Sequence, residues 1–560
     1  MEIARLVLNF LVVLLEVILI FNLLIVVHEL GHFLAARWRG LVVEQFAVWF
    51  GKPLWKRTYN GVLYSLGSIP FGGFVKLPQM APMPAIEGES TLNEAILPTV
   101  SPLDKIIVAL AGPVFSLGLA FVFAVIVWAV GRPVSEAETS LKIGYVVPDS
   151  PAANAPCDDP SEPKGLRPGD QILAVDGHPV NRFNGMDRSV TWYVVRSEGI
   201  SIPFKVKRGD KTLTFQPVPH APEATSVFRR KGFREVMIDP AYACVVAEVK
   251  PDSPGAKAGL HPGDVITAVN GEALLNPLGF WDIEQRSYGQ SLTLNVERDG
   301  QPLDLSLPAM PLVVSDVYAD SPADRAGLKK GDIIESLNGT PVTKFGDLRA
   351  AIQAHPTQAL ELSILHQGSS RVVHVTPLVP KSKTDPIIGI GPSFDTDGIG
   401  LNEGGKSRIV KELPLDQVRS SVVNIGNTLG AVLAPRSHIG VQHLGGPVMI
   451  GRTYFALFSS KEGWRLALWF SVILNVNLAL LNMLPIPVLD GGHILLALIE
   501  TVRRKPVNIR LLEVVQTACF LLIAGYMLYV SFYDVGDLAS GRKSRRELEF
   551  PSPSPTAAQP

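Results

Sequence analysis

Four stretches of this 560-residue chain are apolar for long enough to cross a lipid bilayer, which takes about 20 such residues. They run roughly from Leu6 to Ala36, Ile106 to Val130, Leu466 to Leu489 and Leu511 to Val530. No water reaches the hydrocarbon to satisfy backbone amides, so stretches of this kind are expected as helices. A cleaved signal peptide does not explain the first one. It is too long, Met1-Glu2-Ile3-Ala4-Arg5 ahead of it lacks a positive patch, and the polar sequence HELGH lies inside it. The middle of the chain, by contrast, reads like water-soluble protein. Net charge is −1, which leaves no electrostatic footprint for nucleic acid; membrane lipid is the expected neighbour. Cys157, Cys244 and Cys519 lie far apart, with neither metal-ligand nor redox spacing, so no disulfide framework is expected.

Basic residues orient the chain. Arg37, Arg39, Lys52, Lys56, Arg57 and Lys76 follow the first stretch, and Arg503, Arg504, Lys505 and Arg510 separate the last two. The positive-inside rule puts both segments in the cytoplasm. The middle region, about 132–463, and both termini then lie on the opposite face. The tail residues Arg542, Lys543, Arg545 and Arg546 run against that rule. From Pro551 the chain is rich in Pro, Ser and Ala and reads as disordered.

A repeat appears three times in the middle region: Gly165-Leu166-Arg167-Pro168-Gly169-Asp170, Gly259-Leu260-His261-Pro262-Gly263-Asp264 and Gly327-Leu328-Lys329-Lys330-Gly331-Asp332. A short alternating run follows each, ending in Asp176-Gly177, Asn270-Gly271 or Asn338-Gly339, which predicts a hairpin. The pattern resembles PDZ domains, β-rich modules that accept a peptide as an added strand. Three such domains are expected over 140–220, 240–311 and 312–382, either binding peptides or carboxyl ends or acting as spacers that bind nothing.

The first apolar stretch ends in His28-Glu29-Leu30-Gly31-His32. Residues four apart on a helix lie about 6 Å apart along its axis and on nearly one face. Two imidazoles so placed reach one zinc ion, with the neighbouring glutamate beside a zinc-bound water. Two histidines and a glutamate in a lipid-spanning helix are costly unless paired or liganded, which strengthens that reading over a polar cluster tying helices together. Zinc needs a third protein ligand. The third stretch ends in Asn482-Met483-Leu484-Pro485-Ile486-Pro487-Val488-Leu489-Asp490-Gly491-Gly492-His493, where two prolines break the helix at membrane depth. Asp490 is the carboxylate best placed to meet the first helix; His493, beyond the glycines and nearer water, is a rival.

These residues resemble the site-2 protease family, above all its bacterial RseP-type regulated intramembrane zinc metalloproteases. The resemblance rests on His28-Glu29-xx-His32 in a first transmembrane helix with Asn482-xx-Pro485-x-Pro487-x-Leu489-Asp490-Gly491 in a later one. Phe50-Gly51-Lys52-Pro53-Leu54-Trp55, Ile69-Pro70-Phe71-Gly72-Gly73-Phe74-Val75-Lys76 and Ala111-Gly112-Pro113 match as well, so it covers nearly the whole chain. Two departures stand out. Ser116 replaces the family's usual Asn, and three PDZ-like repeats replace the usual two.

The resemblance implies a polytopic α-helical membrane protein of the bacterial inner membrane, with three inserted β-rich PDZ-like domains on the extracytoplasmic side. The expected order is a transmembrane helix over 1–38, a cytoplasmic membrane-associated β-loop over 39–104 and a second helix over 105–131. The repeats follow, then a linker over 383–463 with an amphipathic stretch near 409–433. A third helix over 464–494, a fourth over 511–534 and a disordered tail over 535–560 complete it. The implied ligands are His28, His32 and Asp490, with Glu29 as catalytic base. Asn482 and Asn477 are expected to hold substrate, as are Phe71, Gly72, Gly73 and Phe74 through an added-strand contact. Single-span membrane proteins are the implied substrates, an anti-sigma factor or remnant signal peptides among them, with the PDZ-like array gating access. Two rivals remain: a membrane-anchored zincin acting in water, and a PDZ scaffold on an inactive protease-like core.

Overall fold

Pro102 at the start of a helix loses nothing, because the first-turn amides have no partner within the helix, and Ser101 caps the same turn by accepting from the Asp104 N–H. The helix that follows, Pro102–Val130, is one of four among the described residues long and apolar enough to cross a membrane; the others are Val7–Trp38, Gly463–Asn482 and Leu511–Gly536. The structure is a computed structural model. It describes residues 2–542 apart from 81–96, 99, 223–229, 288–289, 310–311, 343–344, 367, 381–384, 393–396, 435–436, 461, 505–506 and 508. The tail expected to be disordered falls largely outside the described residues.

The chain divides into two units: Met1–Val134 with Ala221–Arg234 and Arg408–Ala539, and Ser135–His220 with Glu235–Ser407. In the first unit the helices are α1 (Glu2–Trp38), α2 (Pro102–Val130), α3 (Pro414–Leu433), α4 (Pro447–Phe458), α5 (Gly463–Asn482), α6 (Asp490–Arg503) and α7 (Ile509–Arg542). Leu24 of α1, Ala120, Phe123 and Ala124 of α2, and Val472 and Val476 of α5 form a shared apolar core. The α1–α2 crossing is close: a Cβ on Gly31 would lie 2.5 Å from the Ala111 carbonyl oxygen, so only glycine fits there.

The third apolar stretch, expected as one helix over 464–494, is two. α5 stops at Asn482 and α6 begins at Asp490. Pro485 and Pro487 lack N–H donors and push their predecessors out of helical geometry, so Met483–Leu489 forms a turn instead. Gly491 and Gly492 let α6 fold back on that turn; a Cβ on either would lie 2.2 Å or less from the carbonyl oxygens of Met483 and Ile486.

Between α1 and α2 lies a four-stranded sheet of β1 (Gln45–Phe50), β2 (Trp55–Tyr59), β3 (Val62–Leu66) and β4 (Ile69–Lys76), in the order β2-β3-β1-β4. β4 is antiparallel to β1 and forms the sheet edge.

The second unit holds the repeats. The Asp-Gly and Asn-Gly pairs take positive φ at both residues, as type I′ hairpins require: Asn270 is at 51° and Gly271 at 79°. Each Gly-Leu-x-x-Gly-Asp turn closes on its own buried aspartate. Asp170, Asp264 and Asp332 accept the N–H groups of Arg167, His261 and Lys329 at 2.8–2.9 Å. The segment beyond 382, read from sequence as linker, completes two sheets. Ile390–Pro392 pairs with Leu312–Val317 of the third repeat, and Ile399–Leu401 pairs with Cys244–Val249 of the second. The third repeat is therefore an insertion within the second. Three-residue strands carry too little periodicity to be seen in sequence. Cys157, Cys244 and Cys519 are not joined in disulfides.

Candidate metal centre

Helical geometry puts His28 and His32 on one stripe of α1, and the turn after α5 delivers Asp490 at the first residue of α6. The three meet. His28 Nε2 lies 3.2 Å from Asp490 Oδ2, His32 Nε2 lies 3.3 Å from Asp490 Oδ1, and the two Nε2 atoms are 3.3 Å apart. Among the described residues this is the group able to hold a metal ion, and His493 is not part of it.

The surrounding bonds show what these atoms are. His32 Nδ1 lies 2.8 Å from the Val108 carbonyl oxygen, which can only accept, so Nδ1 carries a proton, and in the neutral ring that leaves Nε2 as a lone pair. His28 Nδ1 pairs with Ser116 Oγ at 3.0 Å, and its Nε2 accepts from the Asn482 amide at 3.1 Å. Asp490 Oδ2 is buried without a hydrogen bond despite its nearness to His28, as expected if neither atom carries a proton. Lone pairs of His32 and Asp490 thus face one another beside His28 Nε2, whose own is met by the Asn482 amide, an arrangement that a cation among them would relieve. The scale agrees: the two Nε2 atoms are 3.3 Å apart, about the edge of a tetrahedron with ligands at about 2.0 Å, and each has a different oxygen of the Asp490 carboxylate at 3.2–3.3 Å. The residues fit zinc.

Three positions of α2 four apart serve this centre. The Val108 carbonyl fixes His32 and Ser116 fixes His28, while Gly112 between them leaves room: a Cβ there would lie 2.1 Å from His32 Nε2. Sequence reasoning noted Gly112 and Ser116 as a motif and a departure from it. Their four-residue spacing was the available signal; Val108 acts through its backbone and left none.

Glu29 stands beside the histidines and beneath β4, with its Cγ 3.6 Å from where a Cβ on Gly73 would lie and Ile25 Cγ2 at 3.5 Å. Of the residues expected to hold substrate, Gly72, Gly73 and Phe74 lie in β4 with Phe71, and Asn482 lies at the centre. Asn477 is five residues earlier on α5, so it points about 140° away around the helix, and its buried Oδ1 has no hydrogen bond. It is not drawn into the centre.

A His28-Glu29-xx-His32 centre completed by Asp490, in a chain with four described helices long and apolar enough to cross a membrane, defines the class: a zinc metalloprotease. The chain belongs to peptidase family M50, the site-2 proteases, which matches residues 16–526. A relative in Neisseria meningitidis, named as a zinc metalloprotease, is 26% identical over 523 residues, covering 92% of this chain and 97% of that one. The protease RseP of Yersinia pestis is 28% identical over 535 residues, covering 91% and 96%. Among solved structures, the PDZ domain of an SdrC-like protein from Listeria monocytogenes aligns at 21% identity with a TM-score of 0.14. It covers 15% of this chain and 90% of its own.

Proposed function

We propose that this protein is an intramembrane endopeptidase that cleaves transmembrane segments of single-span membrane proteins, with His28, His32 and Asp490 as zinc ligands and Glu29 as general base. The observation that carries the reading is the convergence of one ligand atom each from His28, His32 and Asp490 within 4.8 Å, two of them on a helix of spanning length. Bound zinc supplies a Lewis acid that polarises a carbonyl and acidifies a water. The chain's own residues do the rest. Glu29 takes the water's proton and returns one to the leaving amine. The Asn482 amide, within 3.1 Å of His28 Nε2, is placed to hold substrate backbone or the developing oxyanion.

A helical substrate hides its amides in its own hydrogen bonds and must unwind before cleavage. The edge of β4 from Phe71 to Val75 offers the opened backbone a partner, directly over Glu29. Helix-breaking residues in the substrate favour that step. The basic residues after α1 and between α6 and α7 support a cytoplasmic location for those loops, hence an extracytoplasmic one for the repeats, in the bacterial inner membrane. There the three PDZ-like repeats gate access, by excluding bulky ectodomains or by reading a carboxyl end left by an earlier cut. An anti-sigma factor and remnant signal peptides are the substrates this reading favours.

The test is cleavage of a model single-span protein by the purified, detergent-solubilised protein. Wild type is expected to cut within the span, and Glu29→Gln or a zinc chelator to lower the rate at least about 100-fold. Cleavage of unfolded soluble chains with intact spans left uncut would contradict the proposal.

A further inference from the structure

Trp49, near the end of β1, sits at φ 70°, a left-handed conformation that a bulky residue holds only where its surroundings enforce it. The register of the sheet breaks at the same point. β1 and β4 pair regularly from Gln45↔Lys76 to Val48↔Gly73, and the next pair is Phe50↔Ile69, so four steps along β4 oppose two along β1. Gly72, inside this bulge, is at φ 80°, and a Cβ on it would lie 1.9 Å from the Phe50 ring, which stacks on Phe74. Bulges of this kind re-aim a strand and end a pairing pattern.

What holds Trp49 is a polar group in a membrane helix. Its indole N–H donates to Asn22 Oδ1, and the Asn22 amide in turn donates to the Ile18 carbonyl at 2.7 Å, which fixes the side chain. Asn22 precedes Glu29 by seven residues, so both lie on nearly one face of α1, about 10 Å apart along its axis. The sheet therefore meets α1 at two places: Trp49 on Asn22, and Gly73 over Ile25 and Glu29. Val48, paired with Gly73, is the neighbour of Trp49, so the first contact sets which residue of β4 stands over Glu29.

We infer that the Asn22–Trp49 bond is a register clamp: it fixes the depth of β4 against Glu29 and so selects which peptide bond of an unwound substrate is cut. The inference rests on the reading of β4 as the substrate-pairing edge. Strand pairing alone is tolerant of slippage, because every residue offers the same backbone groups. A fixed cut position needs a fixed strand. Neither residue touches substrate or the ligand atoms; both act through β4 as positioning residues.

The test maps the scissile bonds of a single-span substrate by mass spectrometry for wild type, Trp49→Phe and Asn22→Leu, with zinc content measured alongside. The two variants remove opposite halves of one bond, so a single well-folded variant is sufficient. The expected result is one dominant cut by wild type. In the variants the cuts spread over neighbouring bonds, the dominant product's share falls at least about threefold, and bound zinc is unchanged. Asn22→Asp, which keeps the acceptor oxygen, is expected to restore the single cut. Wild-type product ratios in both variants overturn the clamp and leave the proposed function standing, as does loss of zinc in both. Failure of wild type to cut any span overturns the proposed function itself.

Discussion

Asp264 in the second repeat is buried and Asp490 in the membrane unit half-buried, and the two are opposites in their surroundings. The Asp264 side chain, 1% exposed, receives two bonds at 2.7 Å from the Arg298 guanidinium and a third from the His261 N–H. Every acceptor it has meets a donor, and the bonds from Arg298 hold its carboxyl below the usual carboxylate range against the effect of burial. Asp170 is satisfied by Arg208 in the same way, and Asp332 by His366. Asp490, 16% exposed, faces two imidazole nitrogens with no proton to offer. A buried charge whose partners are all in place shapes a turn; one pointed at other acceptors marks where a cation belongs.

That contrast can be broken in order of expected effect. Asp490→Asn removes a ligand and leaves the fold, so it should abolish zinc retention and lower peptide cleavage at least about 1,000-fold, without shifting the unfolding midpoint of the repeats. Ser116→Ala frees the His28 ring without removing a ligand. It should weaken zinc binding about 10–100-fold in a competition titration, and Ser116→Asn should recover part of the loss. Asp264→Asn should do the reverse of Asp490→Asn: zinc content unchanged, thermal unfolding of the repeat unit lowered by about 4–8 °C. The smallest effect is on pH. Because the folded Asp264 carboxyl is depressed, its contribution is present above the unfolded pKa of about 3.9 and is lost as pH falls through the folded value. Acid unfolding of wild type should therefore steepen below about pH 4, and Asp264→Asn should flatten it.

The two units also differ in how far they could be read in advance. In the membrane unit polar residues are few and costly, so His28, Glu29, His32 and Asp490 announced themselves by standing in apolar stretches; the prolines after Asn482 marked a break at membrane depth, but not that Asp490 opens a separate helix. In the repeats the signal was repetition, with Asp-Gly and Asn-Gly turns at fixed offsets. What stayed hidden depends on contacts distant in sequence. The Val108 carbonyl has no side-chain signature. Asn22 and Trp49 each look ordinary until the sheet brings them together. Ile390–Pro392 and Ile399–Leu401 are too short to show a strand period, so nothing local revealed that the third repeat lies inside the second.

The most direct test of the central claim is the metal content of purified wild type and of Asp490→Asn, measured by mass spectrometry of the element on protein whose fold is verified by circular dichroism. Three ligand atoms facing one another require one zinc per chain in wild type and almost none in the variant, with identical spectra. Equal zinc in both, or none in wild type prepared with zinc present, would contradict the assignment of Asp490 and with it the reading of the centre.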